Sequence, residues 1–191
     1  MDHIDIYTIN NKPYAEFVTK ITSIPAGILL AQGAWESNWG RSNICIKANN
    51  FFGIRGYGSY SYLGDVEVWN GEKFETSSNG SFRSYKHPLF SWLDRARLNF
   101  TDTYIESISF LFDNNIKDYM LTLAKKYAPN SPATYVKNWL SIYNAHFKEI
   151  DSIVNNRVIS CFKDILEMHK IKCSIVIWKG REEQIIKDAI N

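Results

Sequence analysis

The chain has 191 residues, of which 45% are hydrophobic and 15% aromatic, so it can bury a substantial core. It carries 22 Lys and Arg against 20 Asp and Glu, and a formal charge of +2 without clustered basic residues argues against nucleic-acid binding. The composition also excludes a disordered chain. No apolar run approaches the roughly 18 residues that a membrane span needs.

The cysteine and histidine patterns exclude several classes of site. The three cysteines lack the C-x-x-C spacing of metal or redox sites, and the four histidines are scattered along the chain. We therefore expect no metal site, no cofactor and no disulfide scaffold. Residues 1–11 are polar and mixed, and they lack the basic region and apolar stretch of a signal peptide.

Two helices are predicted at the start of the chain. Apolar residues at helical spacing predict a short amphipathic helix over residues 13–21. Residues 22–38 are apolar almost all round and predict a buried central helix, with Ser23 as its N-cap and Pro25 in its first turn. Gly40 is placed to end this helix.

A β lobe at about residues 55–85 is predicted from its glycines, aromatics and short alternating runs. Strand-like runs occupy residues 59–63 and 66–69, and Asn70-Gly71 is a strong hairpin turn signal. Helical periodicity returns over residues 88–147 and is broken at 128–132, where two prolines predict a loop. The fold class is therefore α+β and mainly α, with a small β-hairpin lobe on a helical domain.

The last part of the chain is predicted to be an addition. We place a first domain at residues 1–150 and a helix-strand-helix extension of unknown role at residues 151–191. A docking partner is one role that such an extension could serve.

The buried central helix carries two strongly polar side chains. Gln32 and Glu36 are four residues apart and therefore lie on one helix face. Burial and the negative end of the helix dipole both disfavour a charged Glu36, so its pKa should rise, as a general acid near neutral pH requires. The alternative is that Glu36 lies just past the buried segment and points into water.

Two motifs then resemble a known family. Residues 31–40 fit the pattern A-Q-x-A-x-E-S-x-W-G, and residues 50–54 fit N-x-F-G-I. Together they resemble the signature of the family 73 glycoside hydrolases, the bacterial and phage N-acetylglucosaminidases that cut peptidoglycan. Residues 67–71, 82–85 and 123–128 are similar to further family segments. Residues 98–104 resemble the Bax-like branch of this family, which also includes the flagellar-type enzymes.

The resemblance implies a lysozyme-like fold and assigns catalytic roles. Glu36 would be the general acid, and Glu67 would either activate water or stabilise positive charge. Alternatively, the N-acetyl group of the sugar attacks the anomeric carbon and Tyr127 helps to orient it. The competing interpretations are that Glu67 is a solvated strand carboxylate and Tyr127 a buried aromatic at a helix end. The family more often has Tyr where this chain has Val68, and this difference would alter sugar contacts in the lobe.

The substrate-binding prediction comprises residues of the two motifs and aromatics of the lobe. Core packing is the competing interpretation for each aromatic, and capping of a turn is the alternative for Asn50. The predicted substrate-binding residues are Gln32, Trp39, Asn50, Phe52, Gly53, Tyr62 and Trp69.

The resemblance implies an endo-β-N-acetylglucosaminidase that acts on the peptidoglycan glycan strand of the bacterial cell wall, in the periplasm or outside the cell. The alternatives are a lytic transglycosylase of the same fold and a catalytically inactive glycan-binding module. With no signal peptide pattern, we expect export by phage lysis or a secretion system, or a trimmed sequence.

Overall fold

The computed structural model describes residues 1–55, 68–69, 74–75 and 82–152. Within these ranges the chain is mainly helical with one small antiparallel sheet, which confirms the predicted fold class. The strand predicted at residues 59–63, the residues Tyr62 and Glu67, and the predicted extension after residue 152 lie outside the described residues.

Helix α1 spans His3–Thr22, so the short helix predicted at residues 13–21 was placed correctly but was too short. The Asp2 side chain caps its N-terminus by accepting hydrogen bonds from two backbone N–H groups. Pro13 lies inside the helix. Buried residues recur along one face from Tyr7 to Thr22, and this stripe packs on helix α2.

Helix α2 spans Ala26–Glu36, and every residue from Ala26 to Ala34 is buried, as predicted for the central helix. The prediction of Ser23 as its N-cap was wrong, because Ser23 ends α1 in a left-handed conformation with φ 62°. Pro25 precedes α2 and provides no side-chain cap. Instead, Asp151 Oδ1 accepts a hydrogen bond of 2.8 Å from the Gly27 N–H, so the cap comes from the far end of the described chain.

A short helix and a three-stranded sheet follow. Helix α3 spans Asn43–Ala48, and the strands are β1 (Val68–Trp69), β2 (Phe74–Glu75) and β3 (Phe82–Arg83). The sheet order is β2-β1-β3, with both pairs antiparallel. β1 and β2 pair antiparallel, as the predicted hairpin requires, while the predicted turn at Asn70-Gly71 lies outside the described residues.

The remaining helices form the second half of the fold, and α6 packs against both α5 and α7. Helix α6 ends at Tyr127 and α7 begins at Pro132, so residues 128–131 form the loop, one residue shorter than predicted. None of the helices in the described residues is both long and apolar enough to cross a membrane. The helices are α4 (Pro88–Leu98), α5 (Ile105–Phe112), α6 (Ile116–Tyr127), α7 (Pro132–Ile142), a π-helical turn (Tyr143–Phe147) and α8 (Lys148–Ser152).

A buried charge network joins the sheet to α4. Asp94 is fully buried, and its two carboxylate oxygens accept hydrogen bonds from Arg83, Tyr85 and Arg97. The pairing compensates the buried carboxylate and fixes β3 and the segment after it against α4.

The far end of the described chain belongs to the same packed unit. The side chain of Asp151 is buried, and α8 packs against α2. Asp151 and α8 therefore pack with the helical core, and the domain boundary at residue 150 stays a prediction.

Candidate active site

Glu36 is the last residue of α2, and it faces a cavity of about 580 Å³ between that helix and the sheet. The walls combine polar groups from the α2–α3 region and the turn after α3 with aromatic rings from α6 and α7. The lining residues are Glu36, Ser42, Ile44, Asn50, Gly53, Ile54, Arg55, Phe82, Arg83, Leu98, Tyr104, Tyr127 and Tyr135.

The carboxyl group of Glu36 is held in a poorly solvated position. Burial raises its pKa from the ordinary 4.5 to about 7, against a smaller lowering effect from the positive charge of Arg95. The indole N–H of Trp139 also lowers this pKa, although neither that group nor Glu36 Oε1 has a hydrogen bond of ordinary geometry among the described residues. The group is therefore substantially protonated near neutral pH, as the sequence argument requires of a general acid.

Arg95 of α4 provides a buried positive charge beside this site. Its side chain is 1% exposed, and it donates hydrogen bonds to Gln32 Oε1 at 3.1 Å and to Asn99 Oδ1 at 3.2 Å. The guanidinium carbon lies 5.5 Å from the centre of the Tyr127 ring. Among the described residues, no carboxylate forms an ion pair with Arg95.

Aromatic rings from α6 and α7 form one side of the site. Tyr127, Tyr135 and Trp139 contact one another with ring centres 5.6 to 6.5 Å apart. The Tyr127 hydroxyl donates a hydrogen bond to the Phe52 carbonyl oxygen, which joins α6 to the turn after α3. Burial, followed by the nearby Glu36 carboxylate, raises the pKa of Tyr127 well above its usual range, so this hydroxyl stays protonated.

Asn50 organises the turn that faces Glu36. Its amide nitrogen donates to the carbonyls of Ile54 and Arg83 at 3.0 and 2.8 Å, and its oxygen accepts from the Ile54 N–H at 3.1 Å. Gly53 has φ 60°, a conformation that favours glycine. Asn50 therefore stabilises the turn, as the alternative interpretation holds, while also lining the cavity; its contact with sugar stays a prediction.

The structure brings four of the predicted site residues together around the cavity, namely Glu36, Asn50, Gly53 and Tyr127. Two others lie behind its wall: Gln32 is buried and accepts the hydrogen bond from Arg95, and Phe52 is buried with its ring 5.0 Å from that of Trp92. For Phe52, the side chain packs in the core, as the competing interpretation holds.

Trp39 lies elsewhere and is not among the residues that line the Glu36 cavity. Its ring packs against Tyr7, His146 and Phe147 and borders a separate cavity beside α1. Its predicted contact with substrate in the Glu36 cavity therefore has no support in the described contacts, because the left-handed turn after α2 carries it to this other side.

Of the predicted site residues in the lobe, the structure describes only Trp69. For Trp69 the backbone is described, and it pairs with Phe74 and Phe82 in the sheet. Glu67 and Tyr62 lie outside the described residues, so their catalytic and substrate-binding roles stay predictions. Within the described ranges, no cluster of His, Cys, Asp or Glu side chains is arranged to hold a metal ion.

Sequence reasoning missed Arg95, although its spacing carried a usable signal. Trp92, Arg95, Ala96 and Asn99 recur at intervals of three and four residues and all are buried. An arginine and an asparagine on the apolar face of a helix indicate a buried polar site, because burial of unpaired polar groups is costly.

Comparison with known proteins agrees with this geometry. Residues 12–148 match the family described as glucosaminidase, mannosyl-glycoprotein endo-beta-N-acetylglucosaminidase. The chain belongs to this glucosaminidase family. The match covers most of the chain and includes Glu36 and the turn at residues 50–54, and it confirms the resemblance to family 73 glycoside hydrolases.

Two curated relatives of this glucosaminidase domain match parts of it. A Streptococcus pneumoniae protein with the provisional name endo-beta-N-acetylglucosaminidase is 39% identical over 74 residues, which is 39% of this chain and 10% of that protein. The peptidoglycan hydrolase FlgJ of Vibrio parahaemolyticus is 28% identical over 120 residues, covering 59% of this chain and 34% of FlgJ. The chain thus matches at most about a third of the length of either relative.

The fold is also found in a solved structure. The catalytic domain of the autolysin Auto from Listeria monocytogenes superposes with a TM-score of 0.59 at 20% identity, covering 80% of this chain and 88% of that domain. At this identity the likeness establishes the fold alone.

Proposed function

We propose that this protein is an endo-β-N-acetylglucosaminidase that hydrolyses the glycan strands of bacterial peptidoglycan, with Glu36 as the general acid. The observation that carries the proposal is the Glu36 carboxyl group, which lines the cavity and has a pKa of about 7. The names of the relatives support the substrate, since one is a peptidoglycan hydrolase and another an autolysin.

The proposed first step is proton transfer. The protonated Glu36 donates its proton to the glycosidic oxygen as the bond to the anomeric carbon breaks, and positive charge develops on the sugar ring. A carboxyl group with a pKa near the working pH is suited to this step, because it is protonated yet still acidic enough to release its proton. Its position at the wall of an open cavity gives a polymer access to it.

The proposed second step requires a group that acts on the anomeric carbon. Glu67 is our candidate to activate a water molecule or to stabilise the positive charge. In the alternative route, the N-acetyl group of the sugar attacks the anomeric carbon. The Tyr127 hydroxyl uses its proton in a hydrogen bond to the Phe52 carbonyl, so its oxygen is free to accept a hydrogen bond from the acetamido N–H.

A peptidoglycan substrate implies action outside the cytoplasmic membrane, in the periplasm or in the extracellular space. The aromatic side of the cavity supports a sugar substrate, because the rings of Tyr127 and Tyr135 offer apolar faces beside polar groups. The residues after Ser152 remain our candidate for docking to a partner.

The experiment is digestion of purified sacculi, followed by mass spectrometry of the released fragments. We expect fragments with a reducing N-acetylglucosamine end from the wild type and none from Glu36→Gln. Glu16→Gln, which changes an exposed glutamate of α1, is the matched control and should release the wild-type fragments. Release of 1,6-anhydro ends would instead identify a lytic transglycosylase, and binding without release would identify an inactive module.

A further inference from the structure

The hydrogen-bond partners of Arg95 differ from those of the other arginines on and beside α4. Arg83 and Arg97 both pair with the buried carboxylate of Asp94. Arg95, on the same helix, instead donates to the neutral amide oxygens of Gln32 and Asn99. A guanidinium is always protonated, so a full positive charge is buried here with hydrogen bonds but without an ion pair among the described residues.

Such an arrangement is costly for the fold. Burial of a charged group is tolerated when it is paired, and replacement of buried charges by apolar groups often leaves stability unchanged or increases it. Arg95 contacts Gln32, one helix turn before Glu36, and its charge acts on the Glu36 carboxyl group, which ionises in the proposed reaction. This arrangement points to a role in that reaction.

We propose that Arg95 is the electrostatic positioning residue of this site: its permanent charge, held by Gln32 and Asn99, stabilises the carboxylate that Glu36 becomes after proton transfer. The proposal rests on the proposed function, in which Glu36 is the acid. In the transfer the O–H bond of Glu36 breaks, its proton forms a bond to the leaving glycosidic oxygen, and the electron pair remains on the carboxylate. Net charge does not change, and the negative charge comes to lie beside the positive one.

Arg55 and Arg83 also line the cavity, and Arg83 pairs with Asp94, but neither of these arginines acts on the pKa of Glu36. The remaining groups around Glu36 carry no permanent charge. Helix α6 contributes Tyr127, and α7 contributes Tyr135 and Trp139. Burial raises the pKa of both tyrosines, so they stay neutral through the working pH range, and indole carries no charge. Arg95 is therefore the permanent charge that acts on Glu36 from the elements described around it.

Gln32 provides a second way to test the charge itself. Its amide oxygen accepts the hydrogen bond of Arg95, and its amide nitrogen is buried without a partner among the described residues. Gln32→Glu has nearly the same shape and keeps an oxygen acceptor, but it adds a negative charge that pairs with Arg95. The pairing should weaken the effect of Arg95 on Glu36.

The experiment compares Arg95→Met, Arg95→Lys and Gln32→Glu with the wild type in two measurements. Carbon-13 NMR titration of the Glu36 side chain gives its pKa without any need for activity. The pH profile of kcat/KM on a soluble glycan fragment gives the basic limb, along which activity falls as the acid of the free enzyme ionises. Arg97→Met is the matched control, because it removes a buried arginine from the same helix that does not act on Glu36.

We expect Arg95→Met and Gln32→Glu to raise the pKa of Glu36 by about one unit or more, and to move the basic limb to higher pH by the same amount. The same loss of stabilisation should lower kcat about tenfold with little change in KM. Arg95→Lys should stay closer to the wild type. In Arg97→Met the midpoint of thermal unfolding is expected to fall while the Glu36 pKa stays at the wild-type value.

An unchanged Glu36 pKa in both Arg95→Met and Gln32→Glu, in folded protein, would overturn the proposal. So would an equal change in Arg97→Met, since that would indicate a general effect of lost packing. If the Glu36 pKa shifts in Arg95→Met and Gln32→Glu but the wild type cleaves no glycan, the electrostatic role of Arg95 is upheld and the proposed function is contradicted.

Discussion

Replacement of Glu36 by Gln should stabilise the fold at high pH while abolishing activity. In the folded protein burial raises the pKa of Glu36 to about 7, whereas in the unfolded chain it returns to the ordinary 4.5. A folded-state pKa above the unfolded one means that the stabilising effect of the protonated form is present below pH 4.5. It is lost as the pH rises through about 7.

The magnitude follows from these two values. At about 1.4 kcal/mol per pH unit, the difference between 4.5 and about 7 corresponds to at most about 3 kcal/mol of lost stability at pH 8.5. Glutamine has the same shape and cannot ionise, so Glu36→Gln avoids this loss. The variant should therefore match the wild type near pH 4.5 and exceed it by up to about 3 kcal/mol at pH 8.5.

Urea unfolding of both proteins at pH 4.5 and pH 8.5 measures this difference directly. Glu16→Gln is the control, because Glu16 is exposed and pairs with Lys12 on the surface, where little pH dependence is expected. Equal free energies of unfolding for Glu36→Gln and the wild type at pH 8.5 would refute the claim that Glu36 is poorly solvated. A constant difference at both pH values would refute it equally.

Four further changes test the structure around the site. Asp151→Ala removes the cap on the Gly27 N–H and should lower the free energy of unfolding by about 1 to 2 kcal/mol in urea titration. Gly27→Ala should lower it by about 1 to 3 kcal/mol, since a Cβ there would lie 2.5 Å from the Phe147 carbonyl oxygen. Asn50→Ala should cost at least about 2 kcal/mol, because it leaves buried backbone groups of the turn without partners. Tyr127→Phe removes the hydrogen bond to the Phe52 carbonyl and should reduce kcat on glycan, with only a small fall in the midpoint of thermal unfolding. Wild-type values in any of these assays would contradict the contact concerned.

Much of the central helix could be predicted from the sequence, because its apolar run, and the Gln32 and Glu36 side chains one turn apart, depend on local spacing. The raised pKa of Glu36 also followed from burial at a helix end. The N-cap was mispredicted for a physical reason: the capping carboxylate of Asp151 lies 124 residues away along the chain. No local pattern around Ser23 reveals a cap from so distant a residue.

The site residues were also predicted only in part, because contacts between distant segments of the chain decide their roles. Asn50 and Gly53 were found because they belong to a short motif, but the motif does not show that the Asn50 amide is occupied by backbone partners. Trp39 was assigned to substrate from its place in the motif, whereas the left-handed turn after α2 directs it to another cavity. Arg95 was missed because its significance depends on its hydrogen bond to Gln32, which lies 63 residues away along the chain and on another helix.

The most direct test of the central claim is the pH dependence of kcat/KM for the wild type on a soluble peptidoglycan fragment. This profile reports the pKa of the essential acid in the free enzyme. We expect a descending limb with its midpoint near pH 7, the pKa that burial gives to Glu36. Activity that stays constant up to pH 9, or cleavage by Glu36→Gln at the wild-type rate, would contradict this claim.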